Sequence, residues 1–174
     1  MKKKGQVWIE TVLYTLIGLT LMGLALGFVM PKINEARDRA LVEQAISSLS
    51  EVDGKISETI QRGSGNVRTI EVTLKRGELY VDGVNDQVRL SISGLSAPYS
   101  QPGVEISSGN IKINSTKSSV LLIVSYSANL TYGNQDIERK FTAASTPYKF
   151  TIENKGLTGD PAKTWVNIEE ISNR

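Results

Sequence analysis

The sequence predicts an α+β protein: a long N-terminal helix, with a membrane half and an amphipathic half, followed by an antiparallel β-sandwich-like domain. Residues 11–30 form an uncharged and mostly apolar run. Residues 33–60 repeat apolar side chains every three or four positions, which is the helical period. After residue 66 the apolar and polar side chains alternate, which is the period of a half-buried strand.

The first apolar run is long enough to cross a membrane. A bilayer core requires roughly 20 apolar residues in a helix, and Thr11–Met30 meets that length without a charge or a proline. Lys2, Lys3 and Lys4 precede it, so the positive-inside rule places the N-terminus in the cytoplasm and the residues after Pro31 outside. The run is too long for an ordinary secretory signal, and no small-residue cleavage site follows it.

Glu10 is the one acid beside this run, and an ionisable group near the end of a membrane helix needs the interface or a partner. Lys4-Gly5-Gln6, with an acid at the fifth position counted from Gln6 and an apolar helix behind it, resembles the amino terminus of archaeal type IV pilin-like precursors. In that family a prepilin peptidase cuts this class III signal sequence after the glycine. The resemblance implies a cut between Gly5 and Gln6, and it implies that Glu10 pairs with the new amine of a neighbouring subunit and sets the axial register.

The resemblance also implies a function and a location. The precursor would be inserted in the membrane and then assembled by the pilus machinery into a homo-oligomeric helical filament at the cell surface, where such filaments serve adhesion, motility or secretion. The alternative is a membrane-anchored β-domain binding protein that never polymerises, such as a minor pilin or a stator-like adaptor of the archaeal swimming filament. We therefore divide the chain into a leader at 1–5, a filament-core helix at 6–30, an amphipathic helix at 31–62 and an extracellular β domain at 63–174.

Composition argues against catalysis. The 174 residues include no cysteine and no histidine, which removes thiolate nucleophiles, imidazole bases and the usual zinc, copper or haem ligands. We predict no enzyme, no cofactor and no metal, with an anchored hydrolase as a distant third alternative. The formal net charge is only +2, so nothing indicates a nucleic-acid partner. Asp82, Asn85 and Asp86 could offer oxygen ligands to calcium, but turn chemistry alone accounts for them.

Glycines and sequons supply the remaining candidate sites. Gly23 and Gly27 have the small-xxx-small spacing that lets membrane helices approach closely, and Gly18 adds a further small residue. Asn114-Ser115-Thr116 and Asn129-Leu130-Thr131 are possible N-glycosylation sites.

The elements that follow the apolar run are predicted from two periods, the helical spacing of three or four residues and the alternation of a strand. An apolar stripe predicts an amphipathic helix to about Arg62, ended by Gly63-Ser64-Gly65. It comprises Ile33, Ala36, Ala40, Leu41, Ala45, Ile46, Leu49, Val52, Ile56 and Ile60. The alternating segments predict seven or eight strands. They form a meander through residues 70–92, a hairpin at 104–113, one long strand at 120–132, strands through Phe141 and at 148–152, and a closing strand at 165–168.

Overall fold

A computed structural model describes the backbone of residues 3–171 and the side chains of residues 7–171. Part of the predicted leader, and the side chains at the predicted Gly5–Gln6 cleavage site, lie outside the described residues. The chain divides into two compact units, one ending at Arg37 and one beginning at Asp38. The architecture is the predicted one, a single long helix followed by two β-sheets.

Helix α1 spans Lys3–Gln61 and continues through Pro31, which donates no backbone hydrogen bond. The helix ends where the chain needs a left-handed residue: Gly63 has a φ of 83°, and Gly65 has a φ of 82°. The predicted end of the helix was therefore right to within one residue.

Ten strands follow within the described part of the chain, two more than the upper number predicted. They are β1 Val67–Val72, β2 Glu78–Asp82, β3 Gln87–Ser93, β4 Glu105–Ser108, β5 Ile111–Ser115, β6 Ser119–Ser125, β7 Asn129–Tyr132, β8 Glu138–Thr142, β9 Tyr148–Thr158 and β10 Lys163–Glu170. One sheet has the order β1-β9-β10-β7 and the other β4-β5-β6-β3-β2-β8. All the strand pairs are antiparallel except β10 with β7, which is parallel.

Two predicted features of the β domain were wrong in the same way, because the chain changes sheets where continuous pairing was expected. The hairpin of β2 and β3 is present, but β1 pairs with β9 in the other sheet, so the three do not form a meander. The predicted strand at 120–132 is divided between β6 and β7, which lie in different sheets. Asp86 holds that crossing: its carbonyl accepts the amide of Tyr126, and its carboxylate accepts the amide of Leu130.

Other predictions of the strands were confirmed. The small hairpin is β4 with β5, and the closing strand is β10. The strand predicted to begin at Tyr148 is β9, which extends to Thr158 and shortens the loop predicted at 156–161.

One hydrophobic core joins both sheets to the second half of α1. Core side chains come from the helix, from all four strands of one sheet, and from β2, β3, β5, β6 and β8 in the other. Four aromatic rings add a bridge between the sheets, because Phe141 of β8 contacts Tyr132, Tyr148 and Phe150 of the opposite sheet edge-to-face. The β domain therefore packs around a helical segment that begins after Arg37.

Candidate functional site

The first candidate site is the apolar surface of α1 from Val7 to Met30. Its large apolar side chains are exposed throughout the described structure: Val7, Trp8, Ile9, Val12, Leu13, Tyr14, Leu16, Ile17, Leu19, Leu21, Met22, Leu24, Leu26, Phe28, Val29 and Met30. No part of the most apolar stretch is covered by the described residues, and the helix is long and apolar enough to cross a membrane. So large an apolar surface is unfavourable in water, and it therefore indicates a segment that lipid or other protein covers.

The hydroxyl groups on this surface are satisfied within the helix. Thr11, Thr15 and Thr20 each donate to the carbonyl oxygen four residues earlier, at 2.7–2.9 Å. A hydroxyl bonded in this way needs no outside partner, so it can enter an apolar environment at little cost. The threonines therefore do not argue against a membrane or a filament core.

Glu10 is exposed and has no hydrogen bond or ion pair among the residues that the structure describes. On a helix with about 100° between residues it shares a face with Tyr14, Ile17 and Leu21. A carboxylate surrounded by bulky apolar side chains needs a cationic partner as soon as that face is removed from water. The structure leaves Glu10 available for such a partner.

The three candidate packing glycines do not lie on one face. An added Cβ atom at Gly18, Gly23 or Gly27 would meet no described atom within 4 Å, so none of them is required by contacts within this chain. Gly23 and Gly27 are one helical turn apart and share a face, whereas Gly18 lies roughly 140° around the helix from Gly23. Gly18 is instead aligned with Thr11 and Thr15, so the helix has small residues on two sides.

The second half of α1 contacts the β domain through a different set of side chains. The buried stripe is Val42, Leu49, Val52 and Ile56, and the buried Thr59 continues it three residues after Ile56. Ile33, Ala36 and Ala40, which the period assigned to the same stripe, are exposed. The core-facing stripe therefore begins only after Arg37. Sequence reasoning missed Val42, although Val42, Leu49 and Ile56 recur at intervals of seven residues.

Asp38 anchors the start of this packed half to two loops of the β domain, the loop between β1 and β2 and the loop after β3. Its Oδ2 accepts hydrogen bonds from the backbone N–H of Ser96 at 2.7 Å and from the Ser96 hydroxyl at 2.5 Å, and its Oδ1 lies 3.1 Å from a guanidinium nitrogen of Arg76. These hydrogen bonds from Ser96, followed by the charge of Arg76, lower the pKa of Asp38 below its usual value. Nothing in the sequence pattern indicates this anchor, because Asp38, Arg76 and Ser96 are distant in the chain.

Asn154 anchors the other end of the helix. Its buried side-chain amide donates to the carbonyl oxygens of Thr59 and Ile60 at 3.1 and 3.4 Å, and its Oδ1 accepts the backbone N–H of Gly156 at 2.9 Å. The last carbonyls of a helix lack intrahelical donors, so a side-chain donor placed there stabilises the end of the helix. Asp38 and Asn154 thus hold the two ends of the packed segment.

The Asp82 turn is explained by its own hydrogen bonds. Oδ1 of Asp82 accepts the amides of Val84 and Asn85, and Oδ2 accepts the Asn85 side chain and lies 3.2 Å from Arg89. Among the described residues no group of three or more acids could hold a metal ion. This arrangement agrees with the turn interpretation of these residues.

The two sequons lie in different surroundings. Asn114 is in β5, where its side chain lies 3.3 Å from Glu105 of the edge strand β4. Asn129 is the first residue of β7 and borders an open polar cleft of about 340 Å³. Both asparagines are half-buried, but their threonines differ: Thr116 is exposed and Thr131 is buried.

Comparison with known proteins supplies no relative for this chain: no protein-family model, no curated protein and no solved structure matches it.

Proposed function

We propose that this chain is the structural subunit of an archaeal type IV pilus-like surface filament. In this proposal the precursor inserts in the membrane with its N-terminus in the cytoplasm, and a prepilin peptidase cleaves it between Gly5 and Gln6. The apolar half of α1 stays on the mature protein, leaves the lipid, and packs against the same segment of other copies. The β domain then forms the outer surface of the filament.

The exposed apolar half of α1 is the observation that carries this proposal. It bears sixteen exposed large apolar side chains between Val7 and Met30, and the β domain has its own core that begins only with Val42. The domain therefore does not need the apolar half for its folding, and that half is free for another role. Lipid is as apolar as these side chains, so assembly would gain mainly from close packing and contacts between small residues.

Glu10 would determine where the copies meet. In a medium with an effective dielectric constant near 20, a carboxylate and an ammonium 4 Å apart attract by about 4 kcal/mol. Removing both charges from water costs a comparable amount, so the pair adds little net stability, but a charge left alone is expensive. Glu10 therefore selects the alignment in which it meets the amine of a neighbouring Gln6.

The first experiment is the mass of the mature N-terminus. Protein purified from membranes and from sheared surface material should begin at Gln6 and retain residues 6–30. Replacing Gly5 with a bulky residue should stop cleavage, so that the mass includes Lys2–Lys4. Normal cleavage of the Gly5 variant, or a mature chain that begins after Met30, would contradict the proposal.

The second experiment tests the acid. Glu10→Val and Glu10→Gln should insert and be cleaved normally, yet yield few filaments, because both lack the charge that selects the register. Glu51→Gln is the matched control, since Glu51 is exposed on the half of α1 that packs against the β domain. Filaments from the Glu10 variants at the level of the control would exclude the register role.

A membrane-anchored binding protein that does not polymerise is the alternative. A single apolar helix beside a basic N-terminus is equally suited to a permanent anchor. Shearing distinguishes the two: a filament subunit appears in the cell-free, lipid-free fraction, whereas an anchored protein stays with the membrane.

A further inference from the structure

Transfer of a glycan to an Asn-x-Thr sequon requires the hydroxyl of the threonine as well as the amide of the asparagine. The pattern requires Ser or Thr two positions after the asparagine, so the transferring enzyme must reach both side chains at once. In a folded protein, an asparagine whose threonine is buried is therefore a poor acceptor even when its own amide is accessible. The two sequons of this chain differ in this respect.

The sequon of Asn129 is locked into the core. Leu130 is fully buried, and Thr131 is 3% exposed. The Thr131 hydroxyl lies 3.0 Å from Oδ1 of Asn167 and 3.4 Å from the carbonyl oxygen of Val166, and it accepts the indole N–H of Trp165 at 2.9 Å. Presenting this threonine to an enzyme would break these hydrogen bonds and pull Leu130 out of the core. Space is not the obstacle, because Asn129 itself borders the open cleft.

The sequon of Asn114 lies at the end of β5, the strand next to the edge of its sheet. Its middle residue Ser115 is buried, but Thr116 is exposed in the turn between β5 and β6. Among the described residues, the Thr116 hydroxyl bonds only to Ser118 and Ser119 of the same turn. On its outer side β5 pairs with β4, a four-residue edge strand in which every residue is exposed. Opening a short exposed edge and an exposed turn costs much less free energy than opening the core.

We propose that Asn114 is the glycan acceptor of the folded β domain, and that Asn129 can accept a glycan only before the domain folds. In the transfer, Nδ2 of Asn114 forms a bond to C1 of an oligosaccharide carried on a polyprenyl phosphate. The bond between C1 and the phosphate oxygen breaks, the phosphate leaves with the electron pair, and the amide nitrogen loses one proton.

Transfer in the cell rests on the outward orientation of the β domain proposed above, whereas a purified reaction does not. The test therefore uses the full-length chain, folded in detergent, with a single-subunit oligosaccharyltransferase and a lipid-linked oligosaccharide. Trypsin places the two sites on separate peptides, 113–117 and 118–139, which mass spectrometry quantifies independently. Synthetic peptides that contain each sequon give the rate of each acceptor without the fold.

Relative to its own peptide, the folded chain should be modified at Asn129 at least about tenfold more slowly than at Asn114. Thr116→Ala should abolish modification at Asn114 and leave Asn129 unchanged. Trp165→Phe and Asn167→Ala, each of which removes one hydrogen bond of the Thr131 hydroxyl, should raise the rate at Asn129 alone. Equal relative rates at the two sites, or faster transfer to Asn129, would overturn the proposal. An unchanged Asn129 rate in both of these variants would contradict the protection of Asn129 by the hydrogen bonds of Thr131 with Trp165 and Asn167.

Discussion

The sharpest energetic prediction compares two leucines of the same helix. Leu49 is 1% exposed in the core of the β domain, whereas Leu24 is 56% exposed on the apolar half of α1. Leu→Ala at a fully buried site costs about 3–5 kcal/mol, because transfer free energy and packing are both lost. Leu49→Ala should therefore lower the free energy of unfolding by about 3 kcal/mol, or Tm by roughly 6–12 °C for a domain of this size. Leu24→Ala should change it by less than about 0.5 kcal/mol.

The assay is urea unfolding of the full chain in detergent, followed by tryptophan fluorescence. The chain has two tryptophans, so a Trp8→Phe background leaves Trp165, whose indole N–H is bonded to Thr131 inside the β domain. The midpoint should move for Leu49→Ala with an unchanged slope, since the surface exposed on unfolding stays the same. Equal losses from both variants would refute the division of α1 into an uncovered half and a packed half. A loss under 1 kcal/mol for Leu49→Ala would refute it as well.

Three further predictions follow from the contacts of α1. Because the folded pKa of Asp38 is lowered, its contribution is present above the unfolded pKa, near 4, and is lost as the pH falls through the folded value. The Tm difference between wild type and Asp38→Asn should therefore shrink below about pH 4. Asn154→Ala should cost about 1–3 kcal/mol in the same urea assay. Asn154→Asp should cost more, because a carboxylate cannot donate and is repelled by the negative end of the helix. Gly27→Leu should leave β-domain stability unchanged but reduce filament yield, whereas Gly54→Leu, at an equally open helical glycine outside the apolar half, should leave filament yield unchanged.

The elements that could be predicted from the sequence are those in which apolar side chains recur at the period of a helix or a strand. The apolar run, the helix to within one residue of its end, and the strands β2, β3, β5 and β10 all follow from patterns of adjacent residues. Partner choice between strands has no such local signal. The crossing from β6 to β7 depends on Asp86, which is about 40 positions earlier in the chain, so an alternating pattern could not show the break.

The residues of the candidate site likewise differ in whether neighbouring sequence reveals them or only contacts with distant residues do. Gly23 and Gly27 are selected by their spacing of four, whereas Glu10 is selected as the acid beside the apolar run and through the resemblance to archaeal type IV pilin-like precursors. The anchors Asp38 and Asn154 could not be selected in this way, since each bonds to residues 38–95 positions away. Thr131 is buried, and its contacts with Trp165 and Asn167 join residues more than 30 positions apart, for which the sequence has no local signal.

Cysteine cross-linking tests most directly the central claim, that the apolar half of α1 is covered by other copies of itself. The chain has no native cysteine, so Ala25→Cys reports on this segment alone, and Lys117→Cys in an exposed turn serves as the control. In sheared, lipid-free surface material, a bifunctional thiol reagent of short span should join Ala25→Cys subunits into dimers and leave Lys117→Cys monomeric. Recovery of Ala25→Cys only in the membrane fraction and only as a monomer would contradict the account.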